Sequence, residues 1–202
     1  MAKVSFQTVF YAIIIIFSLL GLWSSLALSI ELVHLLEQPD APLTCDINAA
    51  VSCSSIMETE AAEVLGFPNT FIGLIGYAVT LTIGGLGLFR VKFPGFVFLS
   101  VTIGACGAFI FSYWLMYYSV YGTGVLCPYC ILSCISATLI FFSFLLIGLH
   151  DNMFKLRESH TQRVQKFIAK GYYVPAILLW FGVMTALVVI EFSSNDSGLF
   201  GY

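Results

Sequence analysis

The chain has 202 residues, of which 59% are hydrophobic and only 9% charged, with a net charge of −3 and a mean hydropathy of +0.97. An ordinary soluble domain carries about 25% charged residues, so there is too little polar surface here for a water-soluble globule. Nor is there a basic excess that would bind nucleic acid. At this length one domain, 1–202, is the natural expectation.

Charge-free runs divide the chain. No charged residue lies between Lys3 and Glu31, and none between Val64 and Phe89. Phe93 to His150 carries no formal charge either. A helix over that whole stretch would be nearly three times as long as a ~30 Å hydrocarbon core, so it folds back, and Tyr121-Gly122-Thr123-Gly124 supplies the turn signal. The expected fold is an all-α integral membrane protein with spans near 9–30, 66–89, 96–120, 127–149 and 171–190. A cleaved leader over 1–29 is the weaker reading of the first run, which is long for a signal peptide and ends in no crisp small-x-small site.

Topology follows from the basic residues. With the N-terminus inside, the inner segments hold Lys3, Arg90, Lys92, Lys155, Arg157, Arg163, Lys166 and Lys170, which is every Lys and Arg in the chain. The outer segments hold Glu31, Glu37, Asp40, Asp46, Glu58, Glu60, Glu63, Glu191 and Asp196, and no basic residue. That split is the positive-inside pattern. The basic segment 150–170 is expected to meet lipid headgroups.

Six cysteines remain to be placed: Cys45, Cys53, Cys106, Cys127, Cys130 and Cys134. Under this topology Cys45 and Cys53 lie in the first outer loop, and Cys127 and Cys130 at the outer mouth of the fourth span. Four thiols thus face an oxidising compartment. Cys127-Pro128-Tyr129-Cys130 sits at a helix start, because Pro is favoured at the first helical position. That makes Cys127 the N-cap and Cys130 the third helical residue, both near the positive end of a helix dipole that favours thiolate. Inert structural disulfides remain an alternative. A four-thiolate zinc site fits poorly, since the outer pair lacks knuckle spacing, so no metal is expected.

The loop 31–65 is expected to end in a short helix opened by a Ser55-x-x-Glu58 capping box and running to about Leu65. Its Ile56, Met57 and Val64 would lie on the membrane, as a solvated surface helix or as a lid over a pocket. Asn69, at the start of the second span, is either a helix N-cap or a hydrogen-bond partner for a carbonyl. Gly73 and Gly76 permit close helix packing or the approach of a flat ring. Cys134 shares a helix face with Cys130 and reads either as a small buried residue or as a further thiol of the site. Cys106 reads as packing.

Together, Cys45-Asp46-x6-Cys53-Ser54, Phe67-Pro68-Asn69 ahead of Gly73 and Tyr77, and Leu126-Cys127-Pro128-Tyr129-Cys130 resemble the vitamin K epoxide reductase family, most closely its bacterial members. The resemblance covers about residues 9–149. It implies a four-helix bundle around a quinone pocket, with the fifth span peripheral. It also implies that Cys45 exchanges disulfides with a thioredoxin-fold, DsbA-like partner and that Cys53 passes electrons to Cys127. Cys130 would then reduce a quinone of the menaquinone, ubiquinone or vitamin K type. Asn69 matches a quinone-contacting position, and Phe71, Ile72, Gly73, Gly76 and Cys134 are the expected neighbours, Cys134 standing where animal enzymes place an aromatic residue. Many bacterial relatives continue into a thioredoxin-like domain. With this chain stopping at Tyr202, the partner is expected to be a separate protein, and the expected location is a bacterial inner membrane. The rival DsbB-type pattern places its Cys-x-x-Cys pair before the loop pair, the reverse of the order here.

Overall fold

The computed structural model describes residues 6–38, 43–48, 50–154 and 158–194. Lys3, Asp40, Lys155, Arg157 and Asp196, used above in the charge reading, lie outside the described residues. The helices are α1 (Phe6–Glu37), α2 (Ser54–Met57), α3 (Asn69–Leu88), α4 (Gly95–Tyr117), α5 (Pro128–His150), α6 (Glu158–Ala169) and α7 (Tyr173–Ser194). Among the described residues β-structure is limited to isolated bridges. Five helices (α1, α3, α4 with its extension to Thr123, α5 and α7) are long and apolar enough to cross a membrane. This is an all-α membrane protein.

Close approach in the bundle is bought with small residues. α1 packs along both α3 and α5, and α4 along α5. On the α1–α3 seam, Gly21 lies under the Tyr77 ring, Gly87 under Tyr11, Gly84 against Ile14 and Gly73 against the Ser25 hydroxyl. A buried Ser18–Thr80 hydroxyl pair at 2.8 Å closes the middle of the seam. Such small-residue contacts let backbones approach where no hydrophobic effect drives helices together in lipid. α3 and α4 barely meet, which leaves the four-helix arrangement open on that side.

At the end of the bundle away from the cysteines, Gln7 donates to Asp151 at 2.6 Å and Phe6 stacks on His150 at 4.7 Å. The amphipathic α6 lays Val164 and Ile168 against the core there and leaves Arg163 and Lys166 exposed. α7 is peripheral. Its contacts include the Trp180 N–H donating to the Tyr113 hydroxyl at 2.8 Å and the Tyr173 ring against Phe10 at 5.6 Å.

Two local expectations are corrected. The third span does not end at Val120: it widens into a π-helical stretch, Tyr118–Thr123, and reverses at Gly124, the last residue of the expected turn, with φ +67°. The Thr123 hydroxyl donating to the Ser119 carbonyl at 2.8 Å carries the helix past the Gly122 signal, and only the left-handed Gly124 ends it. The capping box at Ser55 does not form. α2 begins at Ser54 behind Cys53, stops after one turn and is followed by a separate 3-10 turn at Glu60–Glu63. Its first N–H groups are taken by the Asp46 carboxylate instead, from eight residues upstream of Ser54.

Candidate active site: four cysteines at one end of the bundle

The local sequence of α5 explains its start. Pro128 occupies the first helical position, where its missing N–H costs nothing, and Cys127 caps the helix by accepting the Cys130 N–H on Sγ at 3.3 Å. Just ahead of the span, Cys127 is held below the ordinary thiol pKa. The hydrogen bond from the Cys130 thiol does most of this, burial opposes it, and the backbone N–H groups of Cys130 and Tyr129 add to it. These contacts favour the thiolate form of Cys127.

The other half of the site comes from the loop. Cys45 and Cys53 are joined by a disulfide, and Cys127 and Cys130 are free thiols. The Sγ atoms of Cys53 and Cys127 stand 3.4 Å apart. Their approach follows from a short parallel pairing. Leu126 N–H donates to the Ala50 carbonyl at 2.8 Å, and Ser52 N–H donates to the Leu126 carbonyl at 3.1 Å. The next residue on each strand is a cysteine, so this register sets Cys53 beside Cys127.

Asp46 is the hub of the loop. Its Oδ1 accepts the Ser52 hydroxyl at 2.7 Å, the Cys53 N–H at 2.8 Å and the Ser54 N–H at 3.2 Å, while Oδ2 accepts the Leu43 N–H at 3.2 Å. Burial would raise its pKa, but these bonds outweigh it and hold the carboxyl at about 2. A second carboxylate, Glu31 at the end of α1, is 7% exposed and takes both the hydroxyl and the N–H of Thr44, next to Cys45. Cys45 is 5% exposed and Cys53 fully buried, within a cluster that includes Leu28, Leu43 and Cys127. Ile56 and Met57 of α2 pack onto this cluster. Of the two arrangements expected for this segment, a surface helix or a lid, the packing of these side chains over the sulfurs has the form of a lid.

The expected quinone-contacting residues are distributed unevenly. Asn69 does not cap α3: that position is Pro68 and no side chain caps it. Its Nδ2 donates to the Ala61 carbonyl at 2.7 Å, tying the 3-10 turn to α3. Its Oδ1 and the neighbouring Thr70 hydroxyl are buried with no hydrogen-bond partner, and buried polar atoms rarely stay so. Thr70 also lines a cavity of about 30 Å³ beneath Met57 and Ala62. Gly73 is committed to Ser25, but a Cβ on Gly76 would meet nothing within 4 Å. Phe71 is 46% exposed and Ile72 half-buried. Cys134 is buried one helical turn below Cys130, and the Thr138 hydroxyl, which donates to its carbonyl at 2.7 Å, lies 3.2 Å from the Tyr113 hydroxyl. Cys106 is a half-buried thiol on α4.

The structural roles of four residues escaped the reading of the sequence. Tyr77 reaches across to α5, its hydroxyl 2.8 Å from the Ser133 carbonyl and 2.7 Å from the Ser133 hydroxyl. Tyr113, Glu31 and Asp46 each organise neighbours of the cysteines. Asp46 left a local signal, an acid beside a cysteine with Ser52, Ser54 and Ser55 flanking the second one, and Tyr77 stood among the residues of the family resemblance.

A disulfide-bearing loop anchored on Asp46 and a capped Cys-x-x-Cys helix thus meet sulfur to sulfur at one end of the bundle. A comparison with curated proteins returns no match. The sequence profile of the vitamin K epoxide reductase family, a family of quinone-linked thiol oxidoreductases, matches residues 12–145, a stretch that contains all four clustered cysteines, and the chain belongs to that family.

Proposed function

We propose that the chain is a thiol:quinone oxidoreductase that generates protein disulfides, drawing electrons from a thioredoxin-fold, DsbA-like partner and delivering them to a membrane quinone. The observation that carries this reading is the 3.4 Å approach of Cys53, in its disulfide with Cys45, to the free Cys127. Two inert bridges would have no use for a third sulfur held beside one of them.

The relay runs by thiolate exchange. A partner thiolate attacks Cys45, Cys53 leaves, and the second partner thiol resolves the mixed disulfide, so the partner is oxidised and the loop pair reduced. Cys53 then attacks Cys127 of a Cys127–Cys130 bridge, and Cys130 leaves as thiolate. Cys45 attacks Cys53, restoring Cys45–Cys53 and freeing Cys127. That arrangement, loop pair bridged and helix pair reduced, is the one described here. A bound quinone supplies a two-electron, two-proton acceptor, and the helix pair closes to its disulfide as it gives these up. Each 30 mV of potential difference contributes about 1.4 kcal/mol.

The residues present suit a quinone. The Thr70 hydroxyl and the second N–H of Asn69 can donate to carbonyl oxygens, and Asn69 Oδ1 can accept from a quinol hydroxyl. The bare face of Gly76 and the open side between α3 and α4 leave room for a flat ring from the lipid. The placement of every Lys and Arg on one set of connections supports a bacterial inner-membrane orientation with the cysteines outside.

Replacing Cys130 by Ser should abolish quinone reduction by the detergent-solubilised protein supplied with a reduced thioredoxin-fold donor, while leaving it folded. Undiminished turnover in Cys130→Ser would sink the relay.

A further inference from the structure

α7 lies beyond the residues that the family profile matches, and nothing in the relay uses it. Its membrane-crossing window is 0% buried inside the protein, so packing of the span as a whole is weak. The exception is its cysteine end. Phe192 is 4% exposed and closes a small buried cluster with Ala50, Val120 and Leu126, against which Val188, Met116 and Ile131 also pack. Ala50 and Leu126 are the two residues joined by the 2.8 Å bond of the parallel pairing. That pairing brings Cys53 beside Cys127, and among the described residues it is a single isolated parallel bridge, Val51–Leu126, outside any sheet.

Isolated strand pairs of this length are not stable in water without a packed face. Val120, at the π-helical end of α4, and Phe192 of α7 supply that face. Farther along α7, the Trp180 N–H bond to Tyr113 fixes the helix against α4 and so sets the height at which Phe192 arrives.

From this geometry we infer that Phe192 is a positioning residue for disulfide exchange: the fifth span clamps the Ala50–Leu126 pairing and thereby holds Cys53 against Cys127. The inference rests on the exchange relay proposed above and concerns only its internal step. Phe192 touches neither sulfur. It acts on their effective concentration, which is what sets how favourable the Cys53–Cys127 bond is relative to two separate thiols.

The test uses the full chain in nanodiscs, in a Cys45→Ser, Cys130→Ser background, so that Cys53 and Cys127 are the juxtaposed pair left to bond. Equilibration against a glutathione series, read by mass-shift thiol labelling, gives the stability of the Cys53–Cys127 disulfide with no quinone or partner involved. Adding Phe192→Ala should weaken that disulfide about tenfold, a shift of about 30 mV. Phe192→Leu should restore most of the difference, and Val188→Ala, a milder loss to the same cluster, should shift the equilibrium the same way by less. Leu178→Ala, at a position 65% exposed on the same helix, should leave it unmoved. An unchanged equilibrium in both Phe192→Ala and Val188→Ala overturns the inference, as does an equal shift in Leu178→Ala. If the parent itself forms no Cys53–Cys127 disulfide, the exchange relay fails, and the clamp with it.

Discussion

The cysteine loop and the helical bundle solve the same problem, holding backbone in a fixed place, by opposite means. The bundle is tied by shape: the aromatic rings of Tyr77 and Tyr11 fill the space a side chain at Gly21 and Gly87 would take, and α1 packs along both α3 and α5. The loop has almost no regular structure and is tied by polar contacts that converge on Asp46 and Glu31. Shape packing is distributed and resists opening as a unit. A loop hung from two carboxylates opens when a few bonds break. With Cys45, Cys53 and Cys127 almost completely buried, that difference bears on the proposed relay: a partner dithiol would reach Cys45 only if the loop lifts, while Cys127 and Cys130 stay in place at the start of α5.

Removing the hub is the most direct way to break the comparison. Asp46→Ala leaves the Ser52 hydroxyl and three backbone N–H groups without their acceptor. Hydrogen bonds to a charged group are worth about 1.5–3 kcal/mol each and do not add. A loosening of about 3 kcal/mol, roughly a hundredfold loss in the seated population of Cys53, is the expected result. Rapid acid quench and thiol labelling should show internal exchange slowed by that order, with the thermal midpoint of the bundle nearly unchanged. A bundle that melts early in Asp46→Ala would mean that the two regions are not separable.

The reverse experiment strikes the bundle. A side chain at Gly21 would overlap the Tyr77 ring, and overpacking of this kind costs about 1–3 kcal/mol. Gly21→Val should lower the thermal midpoint and push Tyr77 away from Ser133, yet leave the Cys53–Cys127 approach intact, because that approach is set by the Ala50–Leu126 pairing on another side. Thermal unfolding in nanodiscs, paired with the exchange assay, checks both halves. Slowed exchange at an unchanged midpoint would contradict the separation.

This contrast also explains what could be read from the sequence. The spans were legible because a membrane forces long charge-free runs, and observed helices such as Asn69–Leu88 and Pro128–His150 depart from expectation by a few residues at their ends. The Cys127 cap was legible because Pro128 marks the first turn locally. The loop was not. The Ser55 capping box was a sound local rule defeated by a carboxylate nine residues upstream, since Asp46 competes for the same helix start and brings more donors with it. Glu31, Tyr113 and Phe192 carry no local signal at all. Each acquires its place only when α1, α4 and α7 are set around the cysteines, and no periodicity encodes that.

The smallest effect expected is the one that acid should reveal. The Asp46 carboxyl titrates at about 2 in the folded protein against an ordinary 3.8, so the folded loop favours the deprotonated form. The stability this contributes is fully present above pH 3.8 and is lost as pH falls through about 2. The carboxylate is partly exposed, and solvent screening keeps the effect modest. Pepsin, active across that window, should cut the cysteine loop slowly at pH 4 and faster at pH 2, with rates normalised to an unstructured peptide. Asp46→Asn carries no titrating group at this position, so its cleavage should be faster at pH 4 and flat down to pH 2. The same acid-dependent rise in Asp46→Asn would assign the opening to another group and remove Asp46 as the polar anchor on which the comparison turns.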